Sequence, residues 1–347
     1  MTSAADPPDW PHCGDGADLT AGDPIGCRGR RVEPYAACLA HLAADQRDTY
    51  LAALAPGSDL DHRGTELAEP LLQRLLDAVC DSDTQGPRIG NASFGWATFT
   101  GDARFSSATF LGDASFPCTI FAGDASFYLA TFTGKATFGS ATFHSDASFG
   151  YTTFAGDASF VLATFTGYTG FYSATFTGYT EFTFATFADD ARFDSATFTG
   201  SAIFRGTTFT RKAHFDSTTF TDTAWFESAV FERSPQIGPL VCGGELDLSS
   251  ASFGGPVTVE AAARRVVCHR TRWSSSASLR LRYAEVDFTD AVFEYPLSIA
   301  AHPRRFALPE GGVLEETSLS GVPATARMLS LQGVDAAHMV LTEPSPT

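Results

Sequence analysis

The chain has 347 residues, a formal net charge of −17, and 31 Phe against 9 Tyr and 4 Trp. Such acidity excludes general nucleic-acid binding, which needs a basic footprint. One aromatic residue used so often points to a single environment copied many times.

Residues 1–33 are rich in Cys, Gly and Pro and poor in core residues. Met1 to Trp10 has no basic start and no apolar run, so no secretory signal is expected. The 7 Cys are odd in number and widely scattered, which does not suggest a disulfide framework. With no run of about 18 apolar residues to cross a membrane, a cytoplasmic protein is expected. Cys13, Cys27, Cys38 and His41 form a Cys3His set, a known structural zinc combination. Cys38-x-x-His41 has ligand-like spacing, and a metal would help a segment with so little core to fold. The wide intervals from Cys13 to Cys27 and from Cys27 to Cys38 match no standard motif, so incidental thiols are the competing reading.

Residues 34–90 are expected to form a helical cap. Pro34 starts one helix, which Pro56-Gly57 ends; a second runs from about Leu67 to Cys80. A solenoid needs such a cap because its open end is an unpaired strand edge.

From residue 91 to 232 an 11-residue unit repeats 13 times without a break, and 26 Phe fall in two columns, beginning at Phe94 and Phe99. Spacings of five and six residues alternate. A 3.6-residue helical period would scatter these rings around every face, whereas short strands joined by corners place them all inward. Ala stands two residues before most Phe (Ala92, Ala97, Ala103, Ala108), on the same strand face. Thr precedes the second Phe in 11 of 13 units and points outward. Gly-Asp pairs such as Gly101-Asp102 and Gly112-Asp113 mark the six-residue step. There Gly is expected to supply a positive φ, and Asp to bond its own turn amides. An 11-residue coil leaves little room for two facing rings, so a 22-residue coil with Phe94 over Phe116 is expected.

The units Ala-Thr-Phe-Thr-Gly and Ala-Ser-Phe resemble the A-x-F-x-x units of pentapeptide-repeat proteins. The resemblance covers residues 91–232 and implies a right-handed quadrilateral β-helix. The chain departs from the plain family pattern in having Phe at every centre and six residues in every second unit. A Cys/helix segment ahead of Phe-rich units resembles actinobacterial members of unassigned role.

Residues 233–306 read as irregular coils that carry a local basic group, Arg264, Arg265, Arg270, Arg272, Arg280 and Arg282. These are candidates for an acidic partner or a phosphate, or for pairing inside the chain. Residues 307–347 are weakly patterned, and Pro344 and Pro346 suggest a loose tail.

Other outward features carry weaker readings. Stacked Asp102, Asp124 and Asp146 suggest calcium, although the known calcium repeat differs. Thr-Phe-Thr triplets such as Thr131/Thr133 resemble the ladders of insect antifreeze solenoids, with exposed-strand propensity as the plainer explanation. Family resemblance also implies a DNA-mimicking regulator of an enzyme such as DNA gyrase. No catalytic signature is present, and an enzyme would need a cleft near His269, Arg270 and Glu285. The expectation is a non-enzymatic scaffold that presents a rigid face to a protein partner, with no nucleic acid, membrane or small-molecule substrate.

Overall fold

The computed structural model describes residues 7–342, apart from 19, 21, 309–310, 323–326, 331 and 335–338. Pro344 and Pro346 lie outside them. The chain is a mainly β solenoid with a small helical cap at its N-terminal end. One coil contains four two-residue strands, Ala92–Ser93, Thr98–Phe99, Ala103–Arg104 and Thr109–Phe110. Each pairs in parallel with its counterpart two repeat units further on: Ala92 with Ala114, Thr98 with Ile120, Ala103 with Ala125, Thr109 with Thr131. The coil is therefore four-sided and made of two units, as the sequence predicts. One face stacks 11 strands, a height of about 48 Å at the usual strand spacing.

The two Phe columns become four stacks, one behind each face. All 26 rings are 2% exposed or less. Rings in one stack lie nearly parallel, as with Phe116 and Phe138 at 4.9 Å and 1°. Rings on neighbouring faces meet edge to face, as with Phe116 and Phe127 at 5.7 Å and 81°, both arrangements that the ring quadrupole favours. Each buried Phe contributes roughly 1.5–3 kcal/mol, so the stacks dominate the stability of the rod. Where Thr replaces the inward Ala before the second Phe of a unit, its hydroxyl donates to a carbonyl of the previous coil: Thr119 to Phe94 at 2.8 Å, Thr152 to Phe127 at 2.7 Å.

The corners correct two expectations. Positive φ falls in the five-residue step, at Trp96, Ser107, Cys118, Leu129 and their successors, the third place of a hydrogen-bonded turn that usually takes Gly or Asn. Among the Gly-Asp glycines, Gly101, Gly112, Gly123 and Gly156 are not in that region. They are needed for close stacking: a Cβ at Gly123 would lie 2.7 Å from the Gly101 carbonyl carbon and 2.8 Å from the Asp102 nitrogen. The Asp carboxylates bond the coil above, not their own turn. Asp113 Oδ1 accepts from the Lys135 amide at 2.9 Å, and Asp146 Oδ1 from the Tyr168 amide at 2.9 Å. They take over the amides that the strands cannot pair at the corner.

The N-terminal cap contains two helices, α1 (Ala44–Ala52) and α2 (Glu69–Ala78). Both are shorter than expected. The Arg47 side chain donates to the carbonyls of Leu39, Ala40 and Leu42, which holds residues 38–43 as a turn ahead of α1. The cap also supplies strands: Leu60–Asp61 and Glu66–Leu67 pair with the first regular coil at Ala92–Ser93 and Thr98–Phe99. His62 takes the place of a Phe at the bottom of one stack, its ring 6.0 Å from that of Phe94. The Tyr50 hydroxyl lies 3.3 Å from its Nε2. Full burial pushes His62 down to about 4, with Asp61 acting weakly against this.

Beyond Phe231 the coil shortens. Val230 still pairs with Ser252 at the full interval, but Ser252 pairs with Arg272 and Leu246 with Val266, each partner arriving earlier in the chain by a pair of residues. That pair is lost at irregularities between Ile237 and Leu240 and between Cys242 and Glu245. Phe253, Trp273 and Phe293 continue one stack. The C-terminal segment is less loose than its pattern suggests. Leu314, Glu316 and Leu319 are buried, and strands Arg327–Ser330 and Met339–Thr342 pair with the preceding coil. No helix among the described residues is long and apolar enough to cross a membrane.

Candidate functional site

The structure brings Cys13, Cys27, Cys38 and His41 together, with all four ligand atoms within 4.8 Å of one another. Residues 12–30 fold back as an irregular hairpin, bridged at His12–Arg30 and Asp18–Asp23. Its backbone bonds fix the first two thiols: the Cys13 amide donates to Gly29 O, the Gly14 amide to Cys27 O, and the Cys27 amide to Asp15 O, each at 2.8 Å. Cys38 and His41 share one turn, in which the His41 amide donates to the Cys38 carbonyl at 2.9 Å. Gly29 permits the approach of hairpin and turn, because a Cβ there would lie 2.8 Å from the Cys38 Cβ.

The Sγ atoms of Cys27 and Cys38 are 3.7 Å apart. His41 Nδ1 lies 3.5 Å from Cys13 Sγ and 3.4 Å from Cys38 Sγ. On its far side His41 Nε2 is 3.6 Å from an Asp15 carboxylate oxygen. The Gly29 amide donates to Cys27 Sγ at 3.4 Å. Cys27 is pulled down to about 5, first by the hydrogen bond from Cys38, with burial opposing and the Gly29 amide and His41 helping. The same hydrogen bond, with burial, pushes Cys38 up.

The arginine group is spread around the shortened coils and largely engaged there. Arg264 Nε donates to Gly243 O at 2.6 Å. Arg265 lies 3.4 Å from Glu245 and 3.2 Å from Asp287, Arg272 lies 3.5 Å from Glu294, and Arg280 lies 2.9 Å from Glu260. Arg270 stands at a positive-φ corner. Arg282 is not a surface residue. It is 5% exposed, and its Nε and Nη2 bond the two oxygens of buried Glu316 at 2.7 and 3.1 Å. The Tyr283 hydroxyl donates to the same carboxylate at 2.6 Å. This network pins the C-terminal segment to the rod. His269 Nε2 is 2.8 Å from Asp287 Oδ2, beside Arg265.

The outer Thr and Asp columns are turned to the backbone. The second-rank hydroxyls of Thr133, Thr166 and Thr177 donate to Phe110, Phe143 and Phe154 carbonyls at 2.9, 2.9 and 3.0 Å. Several other acids are paired with Arg: Asp194 with Arg192, Asp189 with Arg211, and Glu227 with Arg205.

One surface feature escaped sequence reasoning. Along one corner, Tyr128, Tyr151 and Tyr172 form an outward ladder, with centroids 5.7 Å apart at each step and rings crossed at 82° and 88°. Leu129 and Tyr151, both at positive φ, are 50% and 51% exposed. The Tyr172 ring lies across Gly150, where any Cβ would collide with it. Arg192 stacks on the other end, 5.8 Å above Tyr172. Reading the corner positions at the period of the whole coil would have revealed the ladder.

A family model described as pentapeptide repeats (9 copies) matches residues 127–175 and 171–216, all within the regular coils. No curated protein matches the chain, and no solved structure matches it. The matched repeats, the four-sided coil and the inward A-x-F centres together identify the regular coils as pentapeptide repeats.

Proposed function

We propose that the chain is a non-enzymatic scaffold that binds a protein partner along the tyrosine corner of its regular coils. The observation that carries this reading is the set of bulky side chains at left-handed corner positions. On that corner Leu129 and Tyr151 have φ of 59° and 55° and stand 50% and 51% exposed. A branched or aromatic residue there costs of order 1 kcal/mol or more against Gly or Asn. Local preference broken without any gain in burial is a signature of a functional surface. Ser occupies the same corner at Ser107, Ser173, Ser195 and Ser217, so the fold does not require the large residues.

Tyr presents wide, rigid contact area at low entropic cost and is enriched where proteins recognise proteins. At the same corner Asp194 is already paired with Arg192, so the apolar and aromatic side chains are what this surface offers. The partner it fits is therefore a protein surface with exposed apolar side chains. Seven free thiols favour a reducing compartment, the cytoplasm.

Affinity capture from native cytoplasm tests the reading with the full chain and a Leu129→Ser/Tyr151→Ser variant side by side. A discrete protein held by the full chain, and lost at least roughly tenfold by an equally folded variant, is expected if these are interface anchors. Equal capture by both, or capture by neither, rejects the reading.

A further inference from the structure

We propose that Cys13, Cys27, Cys38 and His41 hold one zinc ion in a closed structural site that fastens the N-terminal hairpin to the end of the solenoid. The inference is independent of the scaffold reading and rests on the donor geometry. Zinc binds thiolate at about 2.3 Å and imidazole at about 2.0–2.1 Å in a tetrahedron. Such a tetrahedron has S–S edges of about 3.8 Å and S–N edges of about 3.6 Å by simple trigonometry from those bonds. The structure has 3.7 Å for Cys27–Cys38, 3.5 Å for Cys13–His41 and 3.4 Å for Cys38–His41. A disulfide needs its sulfurs about 2.05 Å apart, far inside the Cys27–Cys38 separation of 3.7 Å.

The surroundings fit a metal as well. His41 turns Nδ1 to the thiols and Nε2 toward the Asp15 carboxylate at 3.6 Å, the carboxylate–histidine arrangement that orients a zinc-bound imidazole. The Gly29 amide donates to Cys27 Sγ, as amides do to metal-bound thiolates. Three sulfurs and one nitrogen suit zinc and exclude calcium and magnesium, which take oxygen. Four protein ligands leave no open position, so the site is structural and not catalytic. Between Trp10 and Val32 only Trp10, Ile25 and Val32 are buried apolar residues among those described. Too little core is present to hold these turns, and a bound ion supplies what the core does not.

Zinc content of the purified full chain, after dialysis, is the first measurement. One zinc per chain is expected. Cobalt added to the chelator-treated full chain should then give the thiolate-to-cobalt charge-transfer band and visible bands of a tetrahedral ion. Cys13→Ser should lose stoichiometric zinc, and Cys118→Ser, at an exposed thiol outside the cluster, should keep it. Asp15→Asn retains all four ligands and should weaken zinc binding about tenfold. Absence of zinc from the full chain together with no tetrahedral cobalt spectrum overturns the proposal. So does equal zinc loss in Cys13→Ser and Cys118→Ser, or a Cys27–Cys38 disulfide found in protein isolated with its thiols protected.

Discussion

The regular coils and the N-terminal cap are held together by different physics. In the coils one apolar environment is repeated, every ring is dry, and each layer rests on a copy of itself. In the cap the layers are unlike one another, and polar or ionisable groups stand where rings would otherwise be. His62 occupies a Phe place at the bottom of a stack, and a Cys/His cluster gathers in residues 10–41, where few apolar side chains are buried. Repetition should therefore leave the coils insensitive to solution conditions, while the cap should respond to pH through His62 and to thiol chemistry through its clustered cysteines.

That contrast can be broken most forcefully inside a stack. Phe138→Ala removes a fully buried ring packed above and below by Phe160 and Phe116. A loss of about 3–5 kcal/mol is expected, read from the urea midpoint of the full chain. A loss of only a few tenths would mean that the stacks are not the main source of stability. The pH response comes next. His62 is held near 4 in the folded chain against an ordinary 6.5, so the unfolded chain binds the additional proton between those values. Stability from the neutral ring is complete above 6.5 and drains away as pH falls toward 4, by up to about 3 kcal/mol. A thermal melt series over that window should slope downward with acid, and His62→Phe should flatten it. An unchanged slope would place the acid response elsewhere.

Close stacking is the third lever. In Gly178→Ala a Cβ would stand 2.6 Å from the Gly156 carbonyl carbon and oxygen, and overpacking of this kind costs about 1–3 kcal/mol. Because the residue has ordinary φ, the loss should appear with Ala and grow with Val in the same urea titration. Smallest is the carboxylate ladder: Asp113→Ala frees one Lys135 amide at an exposed corner and should cost about 1 kcal/mol. Asp113→Asn, which keeps the acceptor, should restore most of it.

The repeat was legible because Phe identity and register coincide: equal residues one coil apart can only be stacked neighbours once the helical period is excluded. The corners were not, since sequence shows that Gly is present but not which of two needs it meets. At Gly123 the need is space for a backbone, and at Leu129 a left-handed turn is made without Gly. Cys13, Cys27, Cys38 and His41 could be named by donor type. Their convergence depends on a hairpin whose length follows no spacing rule. Arg282 read as one of six surface cations, because its partner Glu316 is remote in the chain, in a segment without pattern.

The shortening of the later coils has a consequence for assembly. A regular rod presents at each end a surface that another rod of the same pitch can continue. Here the last coils have a different circumference from the first, and strand Met339–Thr342 lies over the final one. The coils toward the two ends thus differ in perimeter, and a second copy laid head to tail would meet a strand register that its own regular coils do not match.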